Sequence, residues 1–216
     1  MANMSWTKRP DIVVQEYNAR NGPDSSSSLF IWATFTVNGL YYLGDVDAVW
    51  DRHPDLSASH QPDTVDMAHA RWAVGSAITA LDLCAAALGR LYCNWSGPNE
   101  LDLRGFDVNA VSSNKRRKQI LARRLNLDAS ALQWVNDALA DPRYQTVLSA
   151  RHALTHSRLL RHLRISTGGD PNMDRMDFKI TINGNQIQVG ARNLVLQSRD
   201  LAGDHVDSFL RVFDTL

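Results

Sequence analysis

The chain has 216 residues, 44% of them hydrophobic and 21% charged, which is typical of a globular protein and sufficient for one full domain. Its 23 basic and 23 acidic residues cancel in net charge. Only two acids, Glu16 and Glu100, are glutamates. This excludes the usual ferritin-like carboxylate bundle, because that fold draws glutamates from four helices.

The sequence predicts a protein of a reducing, cytoplasmic compartment. No run of about 18 uncharged apolar residues is present to form a transmembrane helix. The first ten residues contain Lys8 and Arg9 without an apolar core after them, unlike a secretory signal. Cys84 and Cys93 lie nine residues apart in a helical-looking stretch, and this spacing holds them too far apart for a disulfide. Reduced cysteines are typical of the cytoplasm.

We predict a mainly α-helical bundle with a small β-hairpin before the C-terminal helix. Residues 1–28 end in a run of turn residues and serines and are expected to be a loosely ordered arm, whereas residues 29–216 are expected to form a single helical domain. Residues 29–50 fit either a helix or a hairpin that turns at Asn38-Gly39. The helical spacing of Trp32 and Phe35 with later apolar residues favours the helix.

The clearest predicted element is a long, alanine-rich helix over residues 63–92, in which apolar residues recur at intervals of three and four. Shorter helices are expected over residues 114–125 and 128–139. Asp141-Pro142 indicates the start of a further helix, which we expect to continue to about Arg164.

The periodicity changes near residue 176. Residues 177–181 and 186–189 flank Asn183-Gly184, a sequence typical of a tight hairpin turn. The hairpin is expected over about residues 176–196, with residues 193–196 continuing the second strand. A helix over about residues 198–214 is expected to close the chain.

Charge is distributed unevenly along the chain. Between Arg104 and Arg164 there are twelve basic and four acidic residues, which gives this span a charge of 12 − 4 = +8 and the remainder −8. Such an asymmetry indicates either a polyanionic partner or two halves that neutralise each other within a monomer or an oligomer.

His152 and His156 lie one turn apart on a predicted apolar stripe that also contains Leu148. The pair has three interpretations. The histidines are half-buried structural residues, or they share a metal ion with further ligands, or one of them performs acid–base chemistry on a phosphodiester. The metal interpretation is the weakest, because no HExxH pattern is present and Ala153 follows His152. We therefore assign no metal ligands and no cofactor.

The segment from Arg151 through His152 to His156 resembles the R-x4-6-H motif of HEPN domains. The resemblance covers about residues 63–165, with the long alanine-rich helix before the motif, and extends to the last helix. It implies a metal-independent endoribonuclease or toxin that works as a homodimer, with a possible antitoxin or other protein partner. By the same resemblance His156 is the acid/base, Arg151 the phosphate ligand and His152 a supporting polar residue.

A basic run precedes the motif. Lys115, Arg116, Arg117 and Lys118, together with Arg158, are candidate RNA-binding residues because clustered cations bind a phosphate backbone. The alternative is a solvated helix face that packs through Ile120 and Leu121. Trp134 and Tyr144 fit base stacking or, better, core packing.

The sequence therefore supports two hypotheses. The first is a HEPN-like RNA-binding protein that cleaves RNA by metal-independent 2′-OH transesterification. The second is a non-catalytic helical dimer or partner-binding module in which the histidines are structural.

Overall fold

The computed structural model describes residues 4–43, 62–95, 101–156, 177–182 and 184–216. Over these ranges the chain is mainly helical with a two-stranded antiparallel sheet before the C-terminal helix, which confirms the predicted fold class. In chain order the elements are α1 (Pro10–Asn21), α2 (Ser25–Leu43), α3 (Pro62–Cys93), the 3-10 helix η1 (Leu103–Phe106), α4 (Asn114–Asn126), α5 (Ala129–Ala140), α6 (Pro142–His156), β1 (Asp177–Ile182), β2 (Asn185–Gly190) and α7 (Ala191–Asp214).

The described residues belong to two compact units. The hairpin unit takes them from 38–43, 62–78, 142–156, 177–182 and 184–201, and the aromatic unit from 4–37, 79–95, 101–141 and 202–216. The division falls within α2, α3 and α7. The single domain expected over residues 29–216 stays a prediction.

Stacked aromatic rings form the core of the aromatic unit. The ring centroids of Phe30 and Phe213 lie 5.0 Å apart, and the Trp134 ring contacts Phe209 edge-on at 4.8 Å. The Trp134 indole nitrogen donates a hydrogen bond of 2.8 Å to the carbonyl oxygen of His205. Such offset and edge-to-face arrangements are the favoured ones for buried rings. Trp134 is a core residue, which removes it from the candidates for base stacking, and so is the buried Tyr144 of the hairpin unit.

The expectation of a loosely ordered arm is wrong for residues 4–28. Residues of α1 are buried, and the Tyr17 ring meets Phe213 edge-on at a centroid distance of 5.0 Å. The Tyr17 hydroxyl donates a 2.6 Å hydrogen bond to Asp24, and burial together with this carboxylate raises the pKa of Tyr17 to about 12. Only residues 22–24 separate α1 from α2, and the serines from Ser25 onward are helical. Tertiary contacts stabilise these helices although the local sequence signal is weak.

Helix α2 confirms the helical interpretation for residues 29–43 and excludes the hairpin at Asn38-Gly39; residues 44–50 lie outside the described part. Asp24 caps the helix, since its carboxylate accepts the backbone N–H groups of Ser26 and Ser27. Two of the apolar residues whose spacing indicated the helix are not packed, however. Trp32 and Phe35 are 63% and 62% exposed, and the buried side contains Phe30, Ala33, Val37 and Leu40.

Helix α3 confirms the long alanine-rich helix. Most of its alanines are buried within the protein, including Ala73, Ala77 and Ala80, where small side chains let neighbours approach closely. These alanines therefore pack against other parts of the chain that the structure describes. The stretch Ala68–Cys93 is long and apolar enough to cross a membrane, but 67% of its most apolar 18-residue window is buried in the protein, as in the core helix of a soluble protein.

The hairpin unit contains the predicted hairpin, which is confirmed. Strands β1 and β2 pair in the register Phe178↔Val189 and Ile182↔Asn185, and Gly184 has a φ of 81°, as a tight turn requires. Phe178, Ile180 and Val189 are buried, and β1 contacts α6. Residues 193–196 are not strand: α7 begins at Ala191, directly after β2.

Helix α6 begins at Pro142 as predicted, and its described part ends at His156; the expected continuation to Arg164 lies outside the described residues. The predicted stripe through Leu148 and His152 is not the buried side, since Leu148 is half-buried and His152 exposed. The residues that α6 buries are Tyr144, Val147, Ala150 and Leu154.

Candidate functional site

The residues of the R-x4-6-H pattern lie on the last described turns of α6. Arg151 is half-buried and His152 is exposed, whereas the side chain of His156 lies outside the described part. His152 is therefore not half-buried, although the structural interpretation expected it to be. Arg151 adjoins the buried face formed by Val147 and Leu154, because residues three and four apart share a helix face.

One cation of the hairpin unit anchors this end of α6. The guanidinium of Arg71, on α3, donates a hydrogen bond of 2.8 Å to the carbonyl oxygen of Leu154. The bond fixes the backbone between Arg151 and His156. A bond from a charged donor of this kind contributes about 1.5–3 kcal/mol, so the segment with the motif is held by a contact that the sequence did not reveal.

The candidate RNA-binding residues on α4 form an exposed basic surface. Lys115, Arg116, Arg117 and Lys118 are all exposed, and among the residues that the structure describes no side-chain hydrogen bond or ion pair joins them to another side chain. We call these four residues the basic turn. Arg158, the fifth candidate, lies outside the described residues.

The other two arginines of α4 have structural contacts. Arg123 donates a 3.1 Å hydrogen bond to the carbonyl of Gly105, and its guanidinium carbon lies 4.7 Å from the centroid of the Trp95 ring. Arg124 donates a 3.0 Å hydrogen bond to the carbonyl of Phe106 and also bonds Asn136. Both therefore attach α4 to η1, and the basic run divides into an anchored end and an exposed end.

The alternative for α4, a solvated face packed through Ile120 and Leu121, is half right. Ile120 is the one residue of α4 that is buried, and Leu121 is 47% exposed. Helix α4 is thus attached to the protein through Ile120 and two arginines, and most of its surface is free for contact with another molecule.

The structure contains a buried histidine–carboxylate pair that no sequence pattern indicated. His205 Nε2 lies 3.0 Å from Asp141 Oδ2, and each side chain is only 9% exposed. The carbonyl of His205 accepts the Trp134 indole bond, so the pair is part of the core of the aromatic unit. A pair so enclosed offers no access to a polymer substrate, and we assign it a structural role. No local motif in the sequence connects residues 64 positions apart.

Across residues 4–43, 62–95, 101–156, 177–182 and 184–216, no group of three or more histidine, cysteine, aspartate or glutamate side chains is placed to hold a metal ion. No protein-family model, curated protein or solved structure matches the chain.

Proposed function

We propose that this protein is a HEPN-like RNA-binding protein whose basic turn on α4 binds the phosphate backbone. The observation that carries the proposal is the exposure of Lys115, Arg116, Arg117 and Lys118 without side-chain partners in the described part of the chain. Cations in this state release condensed counterions when they meet a polyanion, and this release drives non-specific nucleic-acid binding.

The position of these cations supports a functional reason for them. They occupy the first turn of α4, at the positive end of the helix dipole, and this turn has no acidic residue. Basic side chains at a helix N-terminus are unfavourable by about 0.3–1 kcal/mol each at low salt. Residues that oppose folding locally are expected at functional sites. A bound phosphate backbone would offset the repulsion between these cations and the helix dipole.

The proposed reaction is metal-independent cleavage at Arg151 and His156. The ribose 2′-oxygen attacks the adjacent phosphorus, the bond from phosphorus to the 5′-oxygen breaks, and a 2′,3′-cyclic phosphate forms. His156 takes the proton of the 2′-hydroxyl or gives one to the 5′-oxygen that leaves. Arg151 stabilises the charge that develops on the phosphoryl oxygens, and His152 is the supporting polar residue. The protein would act as a homodimer in the cytoplasm, where Cys84 and Cys93 stay free.

The binding proposal is tested with a labelled single-stranded RNA in fluorescence polarisation. Replacing Lys115 and Lys118 by glutamine removes two phosphate contacts. We expect the slope of log K against log salt to fall by about 1.4, since each contact on a single strand contributes about 0.7. The matched control is Arg9→Gln with Arg20→Gln, which removes two exposed cations on or next to α1. Equal effects of the two double variants would overturn the assignment to α4.

The cleavage proposal is tested by incubating wild type and His156→Ala with structured and unstructured RNA in excess EDTA. We expect the wild type alone to produce 2′,3′-cyclic phosphate ends, with both proteins equally folded by circular dichroism. Cleavage by both proteins, or by neither, would remove His156 from the reaction.

A second candidate is a non-catalytic module that binds a second copy or another protein. The observation that favours it is the pair of exposed rings on α2, Trp32 and Phe35, whose centroids lie 6.1 Å apart. Large exposed aromatic residues that adjoin each other are typical of interfaces. If this surface forms a homodimer, replacing both residues by glutamine will convert a dimer to a monomer in multi-angle light scattering. An unchanged mass would refute this interface.

A further inference from the structure

A pocket of about 320 Å³ lies between η1 and α4, within the aromatic unit. Its polar lining comprises Asp102, Arg104, Arg116, Gln119 and Arg123. We infer that this pocket binds one ribonucleotide of the RNA strand, with arginines on its phosphate and Asp102 on its 2′-hydroxyl. The inference rests on the proposed RNA binding and adds to it a defined ligand and a preference for RNA over DNA.

Arg123 provides a cation whose position is already fixed. Its hydrogen bond to the Gly105 carbonyl and the Trp95 ring beneath its guanidinium hold the side chain against the pocket wall. A cation ordered before the ligand arrives loses less side-chain entropy on binding than a mobile one. Planar guanidinium groups also match the geometry of phosphate oxygens.

Arg104 and Arg116 provide cations on the open side of the pocket. Both are exposed, and both line the same cavity although they come from different elements, η1 and α4. Ser113, the N-cap of α4, makes no side-chain capping bond, so the first turn next to Arg116 keeps its backbone donors and positive dipole. Three arginines on one pocket favour an anionic ligand.

Asp102 indicates that the ligand is not a bare anion. One of its carboxylate oxygens, Oδ1, accepts the backbone N–H of Gly105 at 2.9 Å and thereby caps η1. The second oxygen would repel phosphate but accepts a hydroxyl donor. A ligand that combines a phosphate group with a sugar hydroxyl fits both the arginines, which bind the phosphate, and the carboxylate, which accepts the hydroxyl proton. The 2′-hydroxyl is the group by which a protein distinguishes RNA from DNA.

The size and the remaining wall of the pocket agree with one nucleotide. Its 320 Å³ is at the lower end of the range of about 300–1,000 Å³ for small-molecule pockets. Ala110, Val111 and Ile120 add an apolar side on which a base can lie. Gly105 lets the wall form, since a Cβ at this position would overlap the side chain of Leu101.

Calorimetric titration with uridine 5′-monophosphate, its 2′-deoxy form and inorganic phosphate tests the inference. We expect saturable binding of the ribonucleotide, at least fivefold weaker binding of the deoxy form, and weaker binding still of phosphate. Arg104→Gln with Arg116→Gln should weaken ribonucleotide binding at least tenfold. The matched variant, Arg9→Gln with Arg20→Gln, removes two exposed cations at α1, outside the pocket, and should change this affinity less than twofold.

Asp102→Ser separates recognition from folding. Serine retains the capping function at η1 but lacks the second oxygen, so the preference for the ribonucleotide over the deoxy form should fall to near parity. An unchanged preference would refute the role of Asp102. Equal affinity of phosphate and nucleotide would reduce the pocket to an anion site and overturn the inference.

The same titrations distinguish failure of the pocket from failure of the proposed function. If wild type binds labelled RNA but not the mononucleotide, and Arg104→Gln with Arg116→Gln weakens RNA binding no more than Lys115→Gln with Lys118→Gln, the pocket is refuted and RNA binding by α4 stands. If wild type binds the mononucleotide but not RNA, the proposed function is refuted and the pocket is a site for a free nucleotide.

Discussion

Helices α4 and α5 follow each other in the aromatic unit and are almost equal in length, 13 and 12 residues, but they differ in capping and in the number of residues that they bury. Helix α5 is capped by Asp128 and buries four residues, with Trp134 as the largest. Helix α4 has no side-chain cap, buries only Ile120 and places the basic turn at its positive end. Helix α5 therefore contributes stability, whereas α4 has few packing contacts and exposes positive charge.

The difference indicates where function is to be sought in this chain. In a sequence that folds efficiently, local propensity, capping and charge placement all favour the native structure. Places where they do not are expected at functional sites. Such places cluster on α4. Substitutions on the two helices should therefore differ in their effects on stability and on RNA binding.

The largest effect is expected from Trp134→Ala on α5. Trp134 is only 3% exposed, contacts Phe209 and donates its indole hydrogen bond to His205. Truncating a buried ring of this kind costs about 3–5 kcal/mol in the free energy of unfolding, measurable by urea denaturation. The folded fraction should bind RNA with unchanged affinity. A cost under about 1 kcal/mol would contradict this view of the core; Trp134→Phe is the milder variant if the alanine form does not fold.

The next effect concerns the cap of α5. Burial opposes ionisation of Asp128, but hydrogen bonds from Ala131 N–H, the Tyr92 hydroxyl and Ser130 outweigh it and lower the pKa of this carboxyl. Asp128→Ala should cost about 0.5–2 kcal/mol.

The same cap has a pH signature. A lowered folded-state pKa gives a contribution that is fully present above the unfolded pKa of about 3.9 and is lost as pH falls through the folded value. Urea unfolding of wild type between pH 5 and pH 2 should show this loss. In Asp128→Asn, which retains a capping oxygen, that part of the pH dependence should disappear, and an identical pH profile would disprove the role of ionised Asp128.

A smaller effect of the opposite sign is expected from Lys115→Glu on α4. A carboxylate in the first turn interacts favourably with the helix dipole, so stability should rise by about 0.3–1 kcal/mol at low salt while RNA binding weakens. Thermal denaturation and fluorescence polarisation measure the two effects on the same sample. Lys115→Gln should lie between wild type and the glutamate variant. Loss of stability in Lys115→Glu would show that the basic turn is structural.

The smallest effect is expected at Leu125, which is 85% exposed near the end of α4. Leu125→Gln should change the free energy of unfolding by less than about 0.5 kcal/mol, because the side chain loses no burial. Chemical denaturation provides the measurement. A loss above 1 kcal/mol would mean that this end of α4 packs more closely than its exposure indicates.

Much of the fold was predictable from local pattern. The long helix α3, the starts of α5 and α6, and the hairpin of β1 and β2 were all indicated by residues adjacent in sequence. Each depends on a rule that acts over a few residues: apolar spacing, side-chain capping or turn conformation. The start of α7 at Ala191 was missed because its first turns follow the hairpin without a breaker.

The faces of helices were less predictable than the helices themselves. On α2 the aromatic residues Trp32 and Phe35 are exposed, and on α6 His152 is exposed although it shares a predicted stripe with Leu148. An apolar pattern indicates that a helix has a packing face, but more than one side of α2 and of α6 is apolar enough to be that face. The neighbours available in three dimensions decide which side is buried.

The sequence by itself determined the helical class, the hairpin and the concentration of positive charge between Arg104 and Arg164, because these depend on local conformational preference and composition. Tertiary structure alone decided that Lys115 to Lys118 are exposed while Arg123 and Arg124 are bound to η1, and that Asp102 and Arg104 share a pocket with Arg116. The physical reason is that burial and hydrogen bonding are set by which distant segments meet, and identical side chains a few residues apart then acquire different roles.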